Sequence, residues 1–159
     1  MRTGIGYDVH RLGDAGTLRL GGIDVPGAPR LVGHSDGDAL LHAITDALLG
    51  AGGQGDIGQH FPPGEPSLAG IDSRELLRRA ARLIAAQRYR VSNVDATVLA
   101  ERPRIGPSLP AMRESIARTL GIETGRVNVK ATTNEGLGDL GRAEAIAAMA
   151  VAVLEEDVA

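Results

Sequence analysis

The sequence predicts an α+β sandwich of the broad α/β class, with helices on one face of a mixed sheet of four or five strands and a small β-hairpin. Along the chain, segments in which apolar and polar residues alternate, as in strands, are interleaved with segments whose apolar residues have helical spacing. Aromatic residues make up only 2% of the chain, so Leu, Ile, Val and Ala must form the core, as suits helices packed on a sheet. A length of 159 residues favours a single domain spanning residues 1–159.

The first third of the chain predicts two β elements. Residues 2–10 have the composition of a first strand. Residues 18–25 predict a hairpin that turns at Gly21 and Gly22, because two adjacent glycines tolerate the positive φ angles of a tight turn.

A helix is predicted over residues 35–50. Ser35 or Asp36 is suited to cap its N-terminus, and Gly50 is suited to end it. The next segment, residues 51–71, is rich in glycine and proline and predicts a long loop, a feature that is usually functional or disordered.

The second half begins with a helix whose start is indicated by Asp72 and by Glu75 three residues later, a capping pattern. Residues 91–100 alternate as in a strand. A third helix carries apolar residues at helical spacing over 112–120 and is stopped by Gly121.

Residues 126–133 predict a further strand, and residues 142–156 predict a last helix. That helix is apolar on nearly all sides, so we expect it to be central or to face a partner subunit.

Composition excludes several classes of protein. The chain has no cysteine, so disulfides and thiolate metal sites are excluded, and a metal must be held by histidine and carboxylate. A net charge of −3 argues against nucleic-acid binding. No apolar run reaches membrane-spanning length and no signal-peptide pattern is present, so we expect a cytoplasmic protein with no membrane association.

A candidate metal site starts at Asp8 and His10, which are two residues apart on a predicted strand and therefore point to the same face. Asp38, His42 and Asp46 follow at intervals of four on a helix and share one stripe. His42 is the preferred third ligand for zinc, with Asp38 or Asp46 orienting its ring. Three ligands and an open position are typical of catalytic zinc. The alternative is that these are ordinary surface residues.

Two other segments suit phosphate binding. His34 and Ser35 precede a predicted helix, whose N-terminal amides favour anions, although a simple cap and turn would use the same residues. Thr132 and Thr133 can donate to phosphate oxygens, and Glu135 can hold a divalent ion that bridges phosphates. The alternative for this segment is an ordinary loop between a strand and a helix.

Six motifs together resemble a known family. In chain order they are GIGYDVHRL, HSDGDALLHAITDALLGA, GDIGQHFPP, DSRELL, NVDATVLAERPRI and VNVKATTNEGLGDLGRAEAIA. They cover nearly the whole chain and resemble the 2-C-methyl-D-erythritol 2,4-cyclodiphosphate synthase family of the non-mevalonate isoprenoid pathway.

The resemblance implies a cyclising phosphorus–oxygen lyase. Its substrate would be 4-diphosphocytidyl-2-C-methyl-D-erythritol 2-phosphate, converted to the 2,4-cyclodiphosphate with release of CMP. It further implies Zn²⁺ on Asp8, His10 and His42, a second ion (Mg²⁺ or Mn²⁺) on Glu135, and a homotrimer with sites between subunits.

The resemblance also implies roles for individual side chains. His34 and Thr133 would be catalytic. The implied substrate-binding residues are Asp8, Val9, His10, His34, Ser35, Asp56, Ile57, Gly58, Phe61, Ala100, Arg104, Ile105, Gly106, Ala131, Thr132, Thr133, Asn134, Glu135 and Arg142.

Two alternatives use the same ligands. A zinc-dependent phosphohydrolase would attack phosphorus with a metal-bound hydroxide and would place solvent oxygen in its product. A non-catalytic oligomeric module would hold a structural metal in a closed shell of protein ligands, which the open fourth position argues against.

Overall fold

A computed structural model describes residues 1–157. In chain order the strands are β1 (Arg2–Arg11), β2 (Leu18–Leu20), β3 (Ile23–Val25), β4 (Tyr89–Leu99), β5 (Val127–Thr132) and β6 (Ala145–Glu156). The helices are α1 (Ala39–Gly52), α2 (Ile57–His60), α3 (Ser73–Ala86), α4 (Leu109–Leu120) and α5 (Gly138–Gly141).

The main sheet has four strands in the order β1-β6-β4-β5, and β2 and β3 form the separate hairpin. Strands β4 and β5 are parallel, whereas β6 runs antiparallel to both of its neighbours. The long helices α1, α3 and α4 contact this sheet and one another. The predicted fold class is therefore confirmed, with four strands in the mixed sheet.

Most of the predicted elements are present. The first strand, the hairpin and the strands at β4 and β5 lie where they were expected, and α4 ends at Gly121 in the left-handed conformation. The 51–71 segment is more ordered than a plain loop, since it contains the last two residues of α1, all of α2 and a 3-10 turn at Pro66–Leu68. Within residues 1–157, no helix is long and apolar enough to cross a membrane.

The predicted last helix is wrong, because residues 145–156 form β6, which lies at the centre of the sheet. Alanine favours helices in isolation, but here both edges of the segment hydrogen-bond to neighbouring strands. Its alternate residues Ala148, Ala150 and Ala152 are fully buried beneath the helices. The expectation of a central position holds, although as a strand.

Small residues bring α1 unusually close to the sheet. Gly4 and Gly6 of β1 face α1, and a Cβ built on Gly6 would lie 1.9 Å from the carbonyl oxygen of Ala43. A Cβ on Gly4 would lie 2.1 Å from the oxygen of Ala47. The neighbouring positions on β6 are alanines, so the floor beneath α1 is built almost without side chains.

The ends of α1 differ from the prediction. Its N-cap is Asp38, whose carboxylate accepts from the backbone N–H of Leu41, and its C-cap is Gly53. The same carboxylate accepts from Gly21 and Gly22 of the hairpin turn at 2.9 and 2.7 Å. Burial raises the pKa of Asp38, although these backbone hydrogen bonds oppose that rise. Asp38 therefore joins the hairpin to α1.

The start of α3 agrees with the prediction in one part only. Asp72 caps the helix by accepting from the N–H of Arg74. Glu75 does not complete the capping pair, because its carboxylate contacts Arg78, Arg79 and Arg82 on the helix surface.

Replacing Gly6 by Ala tests the close packing of α1 on β1. The added methyl group would overlap the backbone of Ala43, so we expect the free energy of unfolding in urea to fall by about 3 kcal/mol. Gly125→Ala is the matched control, since nothing lies within 4 Å of a Cβ there, and its effect should stay within about 0.5 kcal/mol. Equal stabilities for the two variants would show that the helix can move away without cost.

Candidate metal centre

Three side chains converge where α1 crosses the end of β1. Asp8 and His10 point from β1 toward the helices, and His42 points down from α1. Asp8 Oδ2 lies 2.8 Å from His10 Nε2 and 3.1 Å from His42 Nδ1, and the two ring nitrogens are 3.1 Å apart. Three ligands placed about 2.1 Å from a tetrahedral zinc lie roughly 3.4 Å from one another. The triangle therefore fits an ion of that size.

The outer ring nitrogens of both histidines are hydrogen-bonded. His10 Nδ1 lies 2.6 Å from the carbonyl oxygen of Val32, which can only accept, so Nδ1 carries a proton and Nε2 is the nitrogen available to bind an ion. His42 Nε2 lies 3.0 Å from Ser35 Oγ and 2.9 Å from Ser73 Oγ. Metal-bound histidines in proteins are usually supported in this way.

The side chains of this cluster shift one another's pKa values. Burial raises the pKa of Asp8, but hydrogen bonds with His10 and His42 outweigh it and lower the pKa to about 2. Burial lowers the pKa of His10, and the contact with Asp8 more than reverses this, so the pKa of His10 is raised. A carboxylate held ionised between two imidazoles is well suited to a divalent cation.

The triad forms one wall of a cavity of about 210 Å³. Several of the predicted substrate-binding residues line the same cavity, as do parts of the 61–71 segment, here called the strap. Its lining includes Asp8, His10, His34, Ser35, His42, Ile57, Gly58, Phe61, Pro62, Leu68 and Ile71. Asp56 lies beside it as the cap of α2, and its pKa is lowered by its hydrogen bonds with Gln59.

The expectation that Asp38 or Asp46 orients His42 is wrong. Asp38 is taken up by the hairpin and the helix cap described above. Asp46 accepts from the N–H of Ile57 at 2.7 Å and so positions α2. The groups that contact the outer nitrogen of His42 are the hydroxyls of Ser35 and Ser73, and Ser73 is a residue that the sequence did not indicate.

Ser35, His42 and Asp8 also have the order of a hydrolytic Ser–His–Asp triad, since each hydrogen-bonds to the next. His10 decides against that interpretation. Its Nε2 contacts both His42 Nδ1 and Asp8 Oδ2, and a Ser–His–Asp proton relay needs no second histidine at that place. Three convergent donors are instead the geometry of a metal site.

Most of the remaining predicted residues form a second group at the ends of β4 and β5. Thr132 ends β5, and Thr133 Oγ1 donates to Glu135 Oε1 at 3.2 Å. Glu135 has a φ of 52°, an unusual conformation for a residue other than glycine. Strands β1 and β5 are opposite edges of the sheet, three strand spacings or about 14 Å apart. The two groups therefore do not meet within one chain.

The other members of this second group follow the same strands. The backbone N–H of Ala100 donates to the carbonyl oxygen of Thr132 at 3.0 Å, and Ile105 is buried in the core. The segment between them leads into the 3-10 turn at Gly106–Ser108. Asn134 is tied to Glu101 and to the carbonyl oxygen of Leu137. Ala131 is exposed next to Thr132, and Arg104 is exposed before the turn.

Two predicted residues lie apart from both groups. Val9 is on the opposite face of the sheet from Asp8 and His10, as alternation along a strand requires, and is 45% exposed. Arg142 is exposed just before β6 and forms ion pairs with Asp139 and Glu144.

Comparison with known proteins fits this geometry. Residues 1–155 match the model of the YgbB family. The chain belongs to the YgbB family. A relative in Symbiobacterium thermophilum named 2-C-methyl-D-erythritol 2,4-cyclodiphosphate synthase is 57% identical over 97% of this chain and 98% of its own length. The resemblance seen in the sequence is therefore confirmed.

Solved structures carry the same fold as this YgbB-family chain. The bifunctional IspDF of Campylobacter jejuni superposes with a TM-score of 0.94 at 39% identity, over 98% of this chain and 42% of that longer one. A CDP complex of IspF from Plasmodium falciparum gives a TM-score of 0.85 at 35% identity, over 98% of this chain and 96% of that one.

Replacing His42 by Ala tests the metal centre. We expect the wild-type protein to retain one zinc per chain after dialysis and the variant to retain little, because one of three ligands is lost. His60→Ala is the control, since His60 instead contacts the carbonyl oxygen of Gln54. Elemental analysis gives the metal content, and circular dichroism checks the fold. Full zinc retention by the His42 variant would contradict the ligand assignment.

Proposed function

We propose that this chain is a cyclising phosphorus–oxygen lyase in non-mevalonate isoprenoid biosynthesis, with residues 1–159 as one synthase domain. It converts 4-diphosphocytidyl-2-C-methyl-D-erythritol 2-phosphate to the 2,4-cyclodiphosphate. An oxygen of the 2-phosphate forms a bond to the β-phosphorus, and the bond from that phosphorus to the bridging oxygen breaks. The electron pair leaves with CMP. The convergence of Asp8, His10 and His42 on one point in a cavity wall carries this proposal.

The ion proposed for this triad is Zn²⁺, because the donors are two imidazoles and one carboxylate in a chain without cysteine. Glu135 offers a single exposed carboxylate, which suits Mg²⁺ or Mn²⁺, ions held jointly by one carboxylate and substrate phosphates. When bound, the two ions supply positive charge that offsets the repulsion between phosphate groups.

The cavity residues are proposed to bind the methylerythritol side of the substrate. Ser35 is half-buried and faces the cavity, so its hydroxyl can donate to a phosphate oxygen beside His34. The backbone at His34 is fixed, since its carbonyl oxygen accepts from Gly70 N–H at 2.8 Å. Asp56, Ile57, Gly58 and Phe61 then surround the sugar.

The chain's own contribution is mainly to bring two anions together. The attacking phosphate oxygen is already anionic at neutral pH, so the reaction needs no general base. Both reacting groups belong to one molecule, and holding that molecule folded removes much of the entropic barrier. Hydroxyl donors such as Thr133 would stabilise the charge on the transferred phosphoryl group.

The second group is proposed to hold the cytidine diphosphate part. Thr132 and Thr133 offer hydroxyls for the diphosphate, and the backbone between Ala100 and Gly106 offers a surface for cytosine. The Plasmodium falciparum relative is described as a CDP complex, which supports a cytidine diphosphate ligand for this fold.

A homotrimer would complete the site. The sheet face opposite the helices exposes a row of apolar side chains that soluble monomers usually cover: Ile5 (67%), Tyr7 (54%), Val9 (45%), Met149 (43%) and Val151 (38%). The metal triad and the Thr132–Glu135 group lie on opposite edges of that sheet. A ring of three copies, each meeting the next edge to edge, would bury this face and join the two groups across every interface.

The reaction can be measured directly. With zinc and magnesium present, the purified protein should release CMP and the cyclic diphosphate in equal amounts, without ¹⁸O from labelled water entering either product. A phosphohydrolase on the same ligands, which the named relatives do not favour, would place ¹⁸O on phosphorus. Absence of CMP release, or ¹⁸O incorporation, would refute the proposal.

Mixing two inactive variants tests the shared site. His42→Ala removes the triad and Glu135→Gln removes the second ion's ligand. If each site draws on two subunits of a ring, unfolding and refolding a 1:1 mixture should restore about one quarter of wild-type activity, because half of the triads are intact and half of those face an intact Glu135. A mixture as inactive as its parents would contradict a site between subunits.

A further inference from the structure

A buried chain of hydrogen bonds lies behind His42. Ser73, the first residue of α3, is fully buried and contacts both His42 and Asp36. We propose that Ser73 and Asp36 are positioning residues that fix the His42 ring in the tautomer with its proton on Nε2, leaving Nδ1 free to bind metal. This inference rests on the metal centre of the proposed function and assigns it two supporting residues.

The proton positions follow from the contacts. Ser73 Oγ lies 2.5 Å from Asp36 Oδ1, and a carboxylate can only accept, so the serine hydroxyl donates to Asp36. The oxygen of Ser73 is then left to accept from the other neighbour, His42 Nε2, at 2.9 Å. Nε2 must therefore carry a proton. In a ring that binds an ion, the lone pair is then left on Nδ1, which faces Asp8 and His10.

Asp36 is held as an acceptor by several donors. Its Oδ2 accepts from the backbone N–H of Ser73 at 3.1 Å, and its Oδ1 accepts from that of Asp38 at 3.2 Å. Arg19 Nε lies 3.7 Å from Oδ2 and, among residues 1–157, is buried without a hydrogen-bond partner of its own. The guanidinium charge thus stands next to the carboxylate, which accepts from every donor that contacts it.

Ser35 is close to the same nitrogen but has a different environment. Its Oγ lies 3.0 Å from His42 Nε2 and accepts from the N–H of Gly37. Ser35 lines the cavity, whereas Ser73 does not. The Ser35 proton is not committed to a carboxylate. Besides a long contact of 3.4 Å with Ser73 Oγ, this hydroxyl faces the cavity, where it can donate to a ligand. The two serines therefore have separable roles, one toward the histidine and one toward the substrate.

The same contacts tie the strap to the metal centre. The N–H of Asp36 donates to the carbonyl oxygen of Ile71 at 3.1 Å, two residues before Ser73. The turn that holds Asp36 and the strap, which lines the cavity, are thus fixed together. A change at Ser73 that left this backbone bond intact would act on the histidine and spare the cavity wall.

Two serine variants separate these roles. Zinc affinity is measured on the wild-type and variant proteins by competition with a chromophoric chelator, without substrate. Ser73→Ala should bind zinc about 10- to 100-fold more weakly. Ser35→Ala should bind zinc with an affinity within about threefold of wild type. Its loss of a substrate contact should instead raise the KM for the substrate. Ser73→Thr, which keeps the hydroxyl, should recover part of the affinity.

The tautomer itself can be observed without metal. Nitrogen NMR of histidine-labelled, metal-free protein should show a proton on His42 Nε2 in the wild type and partial loss of that proton in Ser73→Ala and in Asp36→Asn. A purely structural role for Ser73 would leave this signal unchanged.

Either of two results would overturn the inference. One is wild-type zinc affinity in Ser73→Ala, and the other is a His42 ring without a proton on Nε2 in the wild-type protein. A wild-type protein that shows the Nε2 tautomer yet retains no zinc would contradict the proposed function and leave the hydrogen-bond assignment standing.

Discussion

The close contact between α1 and β1 is the constraint on which the rest of the structure depends. Glycines at positions 4 and 6 let the helix backbone rest almost directly on the strand. This places His42 above Asp8 and His10, at distances that suit a single ion. A larger side chain at either glycine would lift the helix and separate ligands that come from two different elements.

The same constraint explains the unusual composition of β6. The strand lies between β1 and β4, under α1, and the middle positions of its helix-facing side are Ala148, Ala150 and Ala152. Larger residues there would push α1 away as surely as a side chain on Gly6. The opposite face of the strand has no such limit, and Met149 and Val151 extend the apolar surface begun by β1.

Much of this organisation could be predicted from the sequence. The spacing of Asp8 and His10 and the helical position of His42 were sufficient to indicate a metal site, because they depend only on local periodicity. The strand β6 was missed since its alanine content follows from packing against α1, a contact between residues about a hundred positions apart. Ser73 and Asp36 were missed for a similar reason, as their hydrogen bond joins segments 37 residues apart. Only the fold brings them behind His42.

The most direct measurement of the central claim is a crystal structure of the zinc-loaded protein, with diffraction data collected on both sides of the zinc absorption edge. The account predicts one strong anomalous peak per chain, within bonding distance of Asp8 Oδ2, His10 Nε2 and His42 Nδ1 and open to the cavity. A peak at another position, or a His42 ring that binds the ion through Nε2, would contradict it.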